Sequence, residues 1–67
     1  MWIKIETSWK TIFSDKIEGL TKEEVEDFIS SALRSENGSI FFEVDGKKTV
    51  VPVKLLNQSV ITVFDEE

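Results

Sequence analysis

Apolar positions in this chain recur with two different periods, and each change of period marks an element. Val25, Phe28, Ile29, Ala32 and Leu33 fall at i, i+3, i+4, i+7 and i+8. That spacing makes one stripe along a helix of 3.6 residues per turn. Thr21-Lys22-Glu23-Glu24 stands immediately before it. This is the pattern of a capping box, in which the Thr hydroxyl accepts from the third helical N–H and the Glu reaches back to the Thr N–H. Leu20 and Val25 flank the cap as a hydrophobic staple. Glu23 and Glu24 suit the positive end of the helix dipole. Arg34 falls in the last turn, and Asn37-Gly38 supplies a stop that tolerates left-handed backbone. The spacing predicts a helix over residues 22–35.

After the helix the period shortens. Ser39 to Val44 is rich in β-branched and aromatic residues, and Asp45-Gly46 follows. A two-residue type I′ turn needs positive φ at both central positions, which this pair supplies. Thr49 to Lys54 is the return strand. With that turn Glu43 faces Lys48, Phe41 faces Val50, and Ile40 faces Val51. Pro52 cannot donate to a ladder, so the strand ends there or has a free edge. Leu55 to Gln58 reads as a short connection, and Ser59 to Phe64 as the last strand. Ahead of the helix, Trp2 to Thr7 and Lys10 to Ile17 read as strands around a bend at Ser8-Trp9. Gly19 breaks the chain before the cap. The order is β-β-α-β-β-β. The fold class is α+β: a single helix on a small, mainly antiparallel sheet, with residues 1–67 as one domain.

The alternation is not clean. Ile40, Phe42, Val51 and Val53 make one face of the hairpin, yet Phe41 and Val50 lie on the other. Trp2 opposes Ile3 and Ile5, and Val60 and Phe64 oppose Ile61 and Val63. One helix covers one face of such a sheet, not two. Three arrangements accommodate the surplus: the sheet curls on itself, the residues are scattered on the surface, or the second face is a contact surface. The third is the reading adopted. Trp2, Phe13, Phe41 and Val50, with Lys48 beside them, are the expected interaction surface. Tryptophan is enriched at interface hot spots, so Trp2 and Trp9 are both candidates. Trp9 is expected to fold into the core, while Trp2 either covers a sheet edge or joins the contact.

Size sharpens that reading. A chain of 67 residues is marginal as a lone domain, and this one has no Cys and no His. Disulfides and thiolate or imidazole metal sites are therefore excluded, and a well-packed core or association with another chain must compensate. The absence of Cys also fits a reducing cytoplasm. The start Met1-Trp2-Ile3-Lys4 reads as a strand rather than a signal peptide, and no apolar run approaches the ~20 residues of a membrane span.

The net charge is −5. Glu23, Glu24, Glu26 and Asp27 crowd the helix, and Asp65-Glu66-Glu67 form an acidic tail. Such a chain repels phosphate backbones, which disfavours nucleic acid as a partner, although Lys47, Lys48 and Lys54 share one hairpin. Those lysines serve equally as edge-strand protection. Glu23, Glu26 and Asp27 could hold a divalent cation, but a solvated acidic face explains them too. There is no His for acid–base work, and no base is in evidence beside any Ser. Gly19, Gly38 and Gly46 are isolated, so no phosphate-cradling loop is present. No cofactor is expected, and the chain does not read as an enzyme.

The run Ile40-Phe-Phe-Glu-Val-Asp-Gly-Lys-Lys-Thr-Val-Val-Pro-Val-Lys-Leu-Leu, closing with Val60-Ile-Thr-Val, resembles the C-terminal half of short uncharacterised proteins of Gram-positive bacteria and their phages. Ala32-Leu33, Asp45-Gly46 and Val51-Pro52 match their pattern. The resemblance implies the same β-β-α-β-β-β order and no known activity. A phage or prophage origin would imply an accessory role directed at the host or its defences.

The expected function is thus a protein–protein interaction module, either a homo-oligomer or a modulator of another protein. The alternative is a protein that binds or sequesters a small nucleotide-like ligand at a subunit interface.

Overall fold

The computed structural model describes residues 1–35 and 38–65. The elements are β1 (Trp2–Glu6), β2 (Thr11–Phe13), α1 (Lys22–Leu33), β3 (Ser39–Val44), β4 (Lys47–Pro52), α2 (Val53–Leu56) and β5 (Val60–Phe64). The fold is α+β with the expected strand and helix order, joined by the short helical turn α2.

The helix begins where its cap predicts. Thr21 Oγ1 accepts from the Glu24 amide at 3.1 Å, and Glu24 Oε1 accepts from the Thr21 amide at 3.0 Å. Val25 and Ile29 are buried, and Ala32 and Leu33 are half-buried. The remaining residue of the stripe departs from expectation, because Phe28 stands 55% exposed. The helix closes two residues early, at Leu33, with Arg34 as its C-cap. Asn37, the other half of the expected stop, lies outside the described residues.

The strands divide between two small antiparallel sheets where one was expected. The first has the order β2-β1-β5 and the second pairs β3 with β4. In the hairpin the register is the predicted one: Ile40 faces Val51, Phe41 faces Val50, and Glu43 faces Lys48. Asp45 and Gly46 both take positive φ, 53° and 75°, as the type I′ turn requires. In the larger sheet β1 is central. Ile3 faces Val63, and Ile5 lies between Ile12 and Ile61.

Two segments depart from strand. β2 stops at Phe13, not Ile17. Ser14 then turns inward, is buried, and accepts the Ile3 amide on its hydroxyl oxygen at 2.7 Å. From there the chain bridges the sheets. Ser14 and Ile17 donate to the carbonyls of Ile3 and Met1, while Asp15 donates to Glu43 at 2.7 Å. The return strand stops at Pro52, whose fixed φ and missing N–H end the ladder. Val53 and Leu56 then share one side of the α2 turn and are buried, where a strand to Lys54 and a loop were expected.

The core is Met1, Ile3, Ile5, Val25, Ile29, Ile40, Val51, Val53 and Leu56. β1, α1, β3, β4 and α2 all contribute to it, while Ile12 of β2 and Ile61 and Val63 of β5 are half-buried against it. Both sheets turn their inner faces toward this single cluster, and α1 packs against β5, α2 and β3.

Candidate functional site

The outer faces of the two sheets carry the apolar surplus. Neither sheet curls far enough to cover it: Phe41 is 53% and Val50 54% exposed, side by side on the hairpin. The expected interaction residues fall into two groups rather than one. Phe41, Val50 and Lys48 share the outer face of the β3–β4 hairpin. Trp2 and Phe13 belong to the outer face of the three-stranded sheet, together with Phe64.

Each group has a local logic. Lys48 opposes Glu43 in register, but its ammonium lies 4.8 Å from the centroid of the Phe41 ring. An ammonium over an aromatic face is attracted by the ring quadrupole, and the contact holds the ring in place while leaving it exposed. On the other sheet, Trp2 stacks on Phe64 with centroids 4.1 Å apart and planes 11° from parallel. Phe13 tilts against the opposite side of Trp2 at 5.7 Å. Trp2 is thereby half-buried, while Phe13 remains exposed.

Trp9 is not a core residue. It sits at the tip of the β1–β2 connection, 70% exposed. Thr7 builds that turn: its Oγ1 accepts from the amides of Trp9 and Lys10 and donates to the Lys10 carbonyl. With the backbone so held, the indole is left exposed, and Lys10 Nζ lies 5.7 Å from its ring centroid.

A cleft of about 380 Å³ lies between α1 and the hairpin. Buried Ile3, Val25, Ile29 and Ile40 line its depth, and exposed Leu20, Phe28 and Phe41 stand at its mouth. Leu20 and Val25, the expected staple pair, both line it, with Val25 buried and Leu20 50% exposed. The cleft's polar groups are the charged Asp15, Lys16 and Glu43. Asp15 is already engaged: its carboxylate accepts the amides of Asp45 at 2.9 Å and Gly46 at 2.7 Å.

Sequence reasoning missed Leu20, Phe28 and Phe64 as surface residues. Leu20 and Phe28 obey the helix pattern and so read as core. Their exposure follows from a helix of 12 residues reaching across two sheets rather than lying on one. Phe64 had a visible signal, since it opposes Ile61 and Val63 in the alternation of β5.

In chemical terms the cleft can hold an apolar group. Among the described residues, no group of three or more acidic side chains converges as a cation site, Glu23, Glu26 and Asp27 included. Lys47, Lys48 and Lys54 do not form one patch along a strand, because Lys54 belongs to α2. Among the described residues, no helix is long and apolar enough to cross a membrane. No family model, curated protein or solved structure matches the chain.

Proposed function

We propose that this chain is a non-enzymatic protein-interaction module that grips an apolar side chain of a partner protein in the cleft between α1 and the β3–β4 hairpin. The observation that carries the reading is the placement of Leu20, Phe28 and Phe41 at the mouth of one cleft, each half or more exposed. Large side chains held around a concavity with a buried apolar floor are the arrangement of an interface anchor site. Fully burying one such side chain contributes ~1.5–3 kcal/mol, so a partner that covers three of them gains enough for specific association. Val50 and the Lys48-capped Phe41 extend the surface along the hairpin. A modulator of a host protein, as the sequence resemblance implies, is one form this role takes.

The test uses two variants made at the mouth of the cleft, Phe28→Asp and Phe41→Lys. Both positions are exposed, so far-UV circular dichroism and the thermal melt stay close to wild type. Proteins that co-purify with the wild-type chain from its source cells, quantified by mass spectrometry, should be lost from both variants. Identical recovery from wild type and variants contradicts the reading.

The volume of the cleft supports a second reading, binding of a small apolar ligand, because ligand pockets begin at about 300 Å³. Native mass spectrometry separates the two. A retained small molecule favours the ligand, and a retained chain favours the partner.

A further inference from the structure

The two sheets have several edges, and among the described residues all but one are blunted. β2 is only three residues long. β4 carries Lys47, Lys48 and Pro52. The free side of β3 is met by the Asp15 amide at the Glu43 carbonyl. Short strands, lysines, proline and covering segments are the usual protections against unwanted pairing. β5 has none of them. It reads Val60-Ile61-Thr62-Val63-Phe64, without charge, Gly or Pro, and every residue favours strand. It pairs with β1 on one side only, and among the described residues its other side makes no backbone hydrogen bond.

We propose that β5 is a self-pairing edge: two copies of the chain join antiparallel along Val60–Phe64 about a twofold axis at Thr62. An unpaired row of N–H and C=O groups accepts an added strand, and the side chains decide which one. Here they are complementary to themselves. Centred on Thr62, the register sets Val60 against Phe64 of the second copy on the outer face. It sets Ile61 against Val63 on the inner face, and Thr62 against its own equivalent. Aromatic–β-branched and Thr–Thr pairs are favourable across antiparallel strands, and no like charges meet. Asp65, the next charge, falls opposite Ser59.

Both faces of the seam are prepared. On the outer face Val60 is 63% exposed, and Phe64 of the second copy covers it. The row Phe13–Trp2–Phe64 then continues across the axis instead of ending at an edge. On the inner face a groove of about 410 Å³ runs beside β5, with Ile29, Leu33, Ile61 and Val63 among its apolar lining and Glu26, Ser30, Asn57 and Ser59 as its polar lining. It receives Ile61 and Val63 of the second copy. A twofold pairing closes on itself and uses the one edge left unprotected among the described residues, so it does not propagate. β5 lines no part of the cleft between α1 and the hairpin, so this pairing is independent of partner binding there.

The test is Thr62→Glu. Within one copy Thr62 faces Lys4, so the new carboxylate has an opposite charge beside it and the fold is kept. Across the axis it meets its own equivalent. Sedimentation should give the wild type at twice the chain mass and Thr62→Glu at the chain mass, with matching circular dichroism. Mixing Thr62→Glu with Thr62→Lys should restore a mixed dimer at twice the chain mass. Should Thr62→Glu fail to fold, Val60→Lys replaces it, since Val60 faces Glu6 within one copy. That variant should likewise lose the dimer. A wild type that stays monomeric at high concentration overturns the proposal, as does a folded Thr62→Glu or Val60→Lys that remains dimeric. A dimer split by Phe41→Lys but not by Thr62→Glu places the seam at the hairpin, which overturns this proposal and leaves the cleft reading standing.

Discussion

The amide of Gly46 donates to the Asp15 carboxylate at 2.7 Å, tying together residues 31 apart in sequence. The Asp45 amide donates to the other oxygen at 2.9 Å. One side chain thus holds both central amides of the hairpin turn and anchors the hairpin to the segment that bridges the two sheets. It also fixes one wall of the cleft, since Asp15 and Glu43 both line it.

Asp15→Ala should therefore loosen the hairpin. Hydrogen bonds to charged groups contribute ~1.5–3 kcal/mol when sheltered, and these are exposed, so a loss of about 1–2 kcal/mol for the pair is expected. Asp15→Asn keeps one acceptor oxygen and should cost less. Chemical denaturation measures both, and amide exchange at Asp45 and Gly46 should quicken first. Equal stability of all three proteins would show that the contact contributes nothing.

Ser14→Ala tests the bridge from its other end. The Ser14 hydroxyl satisfies the Ile3 amide in a buried setting, and also donates to the Asp15 carbonyl at 3.0 Å. Removing it orphans a buried N–H, which costs ~1–3 kcal/mol. The fall in melting temperature should exceed that of Ser8→Ala, at an exposed turn position.

The helix cap makes a third case. Thr21→Ala should cost on the order of 1 kcal/mol, because the Glu24 amide loses its acceptor. Glu24→Ala should cost less, as water replaces its carboxylate at the exposed Thr21 amide. Thermal melts that find both changes neutral would contradict the cap.

The two tryptophans should behave differently. Trp9→Ala touches no core contact and should stay within about 0.5 kcal/mol of wild type. Trp2→Ala removes the stack on Phe64 and the tilt against Phe13, and should destabilise clearly more. Fluorescence of single-tryptophan variants gives a second readout: Trp9 should emit near the wavelength of indole in water and Trp2 to the blue of it.

What was legible in the sequence was local. The cap at Thr21, the stripe from Val25 apart from Phe28, and the register from Asp45-Gly46 each depend on residues a few positions apart, and each is observed. The shared outer face of Phe41, Val50 and Lys48 was also legible, because a hairpin of known turn type fixes which side chains lie together. What was not legible was set by distant partners. Asp15 reads as one more surface carboxylate until the hairpin tip lies against it. Ser14 looks like strand until its hydroxyl meets the Ile3 amide. The division into two sheets follows from that bridge, and no periodicity announces it. Phe28 and Trp9 were misplaced for the same reason: an apolar side chain is buried only where another element arrives to cover it.

The central claim is that the cleft between α1 and the hairpin grips a partner protein, and site-specific photo-crosslinking in producing cells tests it most directly. A photoreactive phenylalanine analogue at position 41 replaces a ring already at the mouth of the cleft. On irradiation it should give a discrete adduct with a second protein. The same analogue at exposed Glu23, which does not line the cleft, should give none. Adding Phe28→Asp on the opposite side of the mouth should abolish the adduct without changing the amount of folded chain. An adduct pattern at position 41 no different from that at position 23, or one indifferent to Phe28→Asp, would contradict the account.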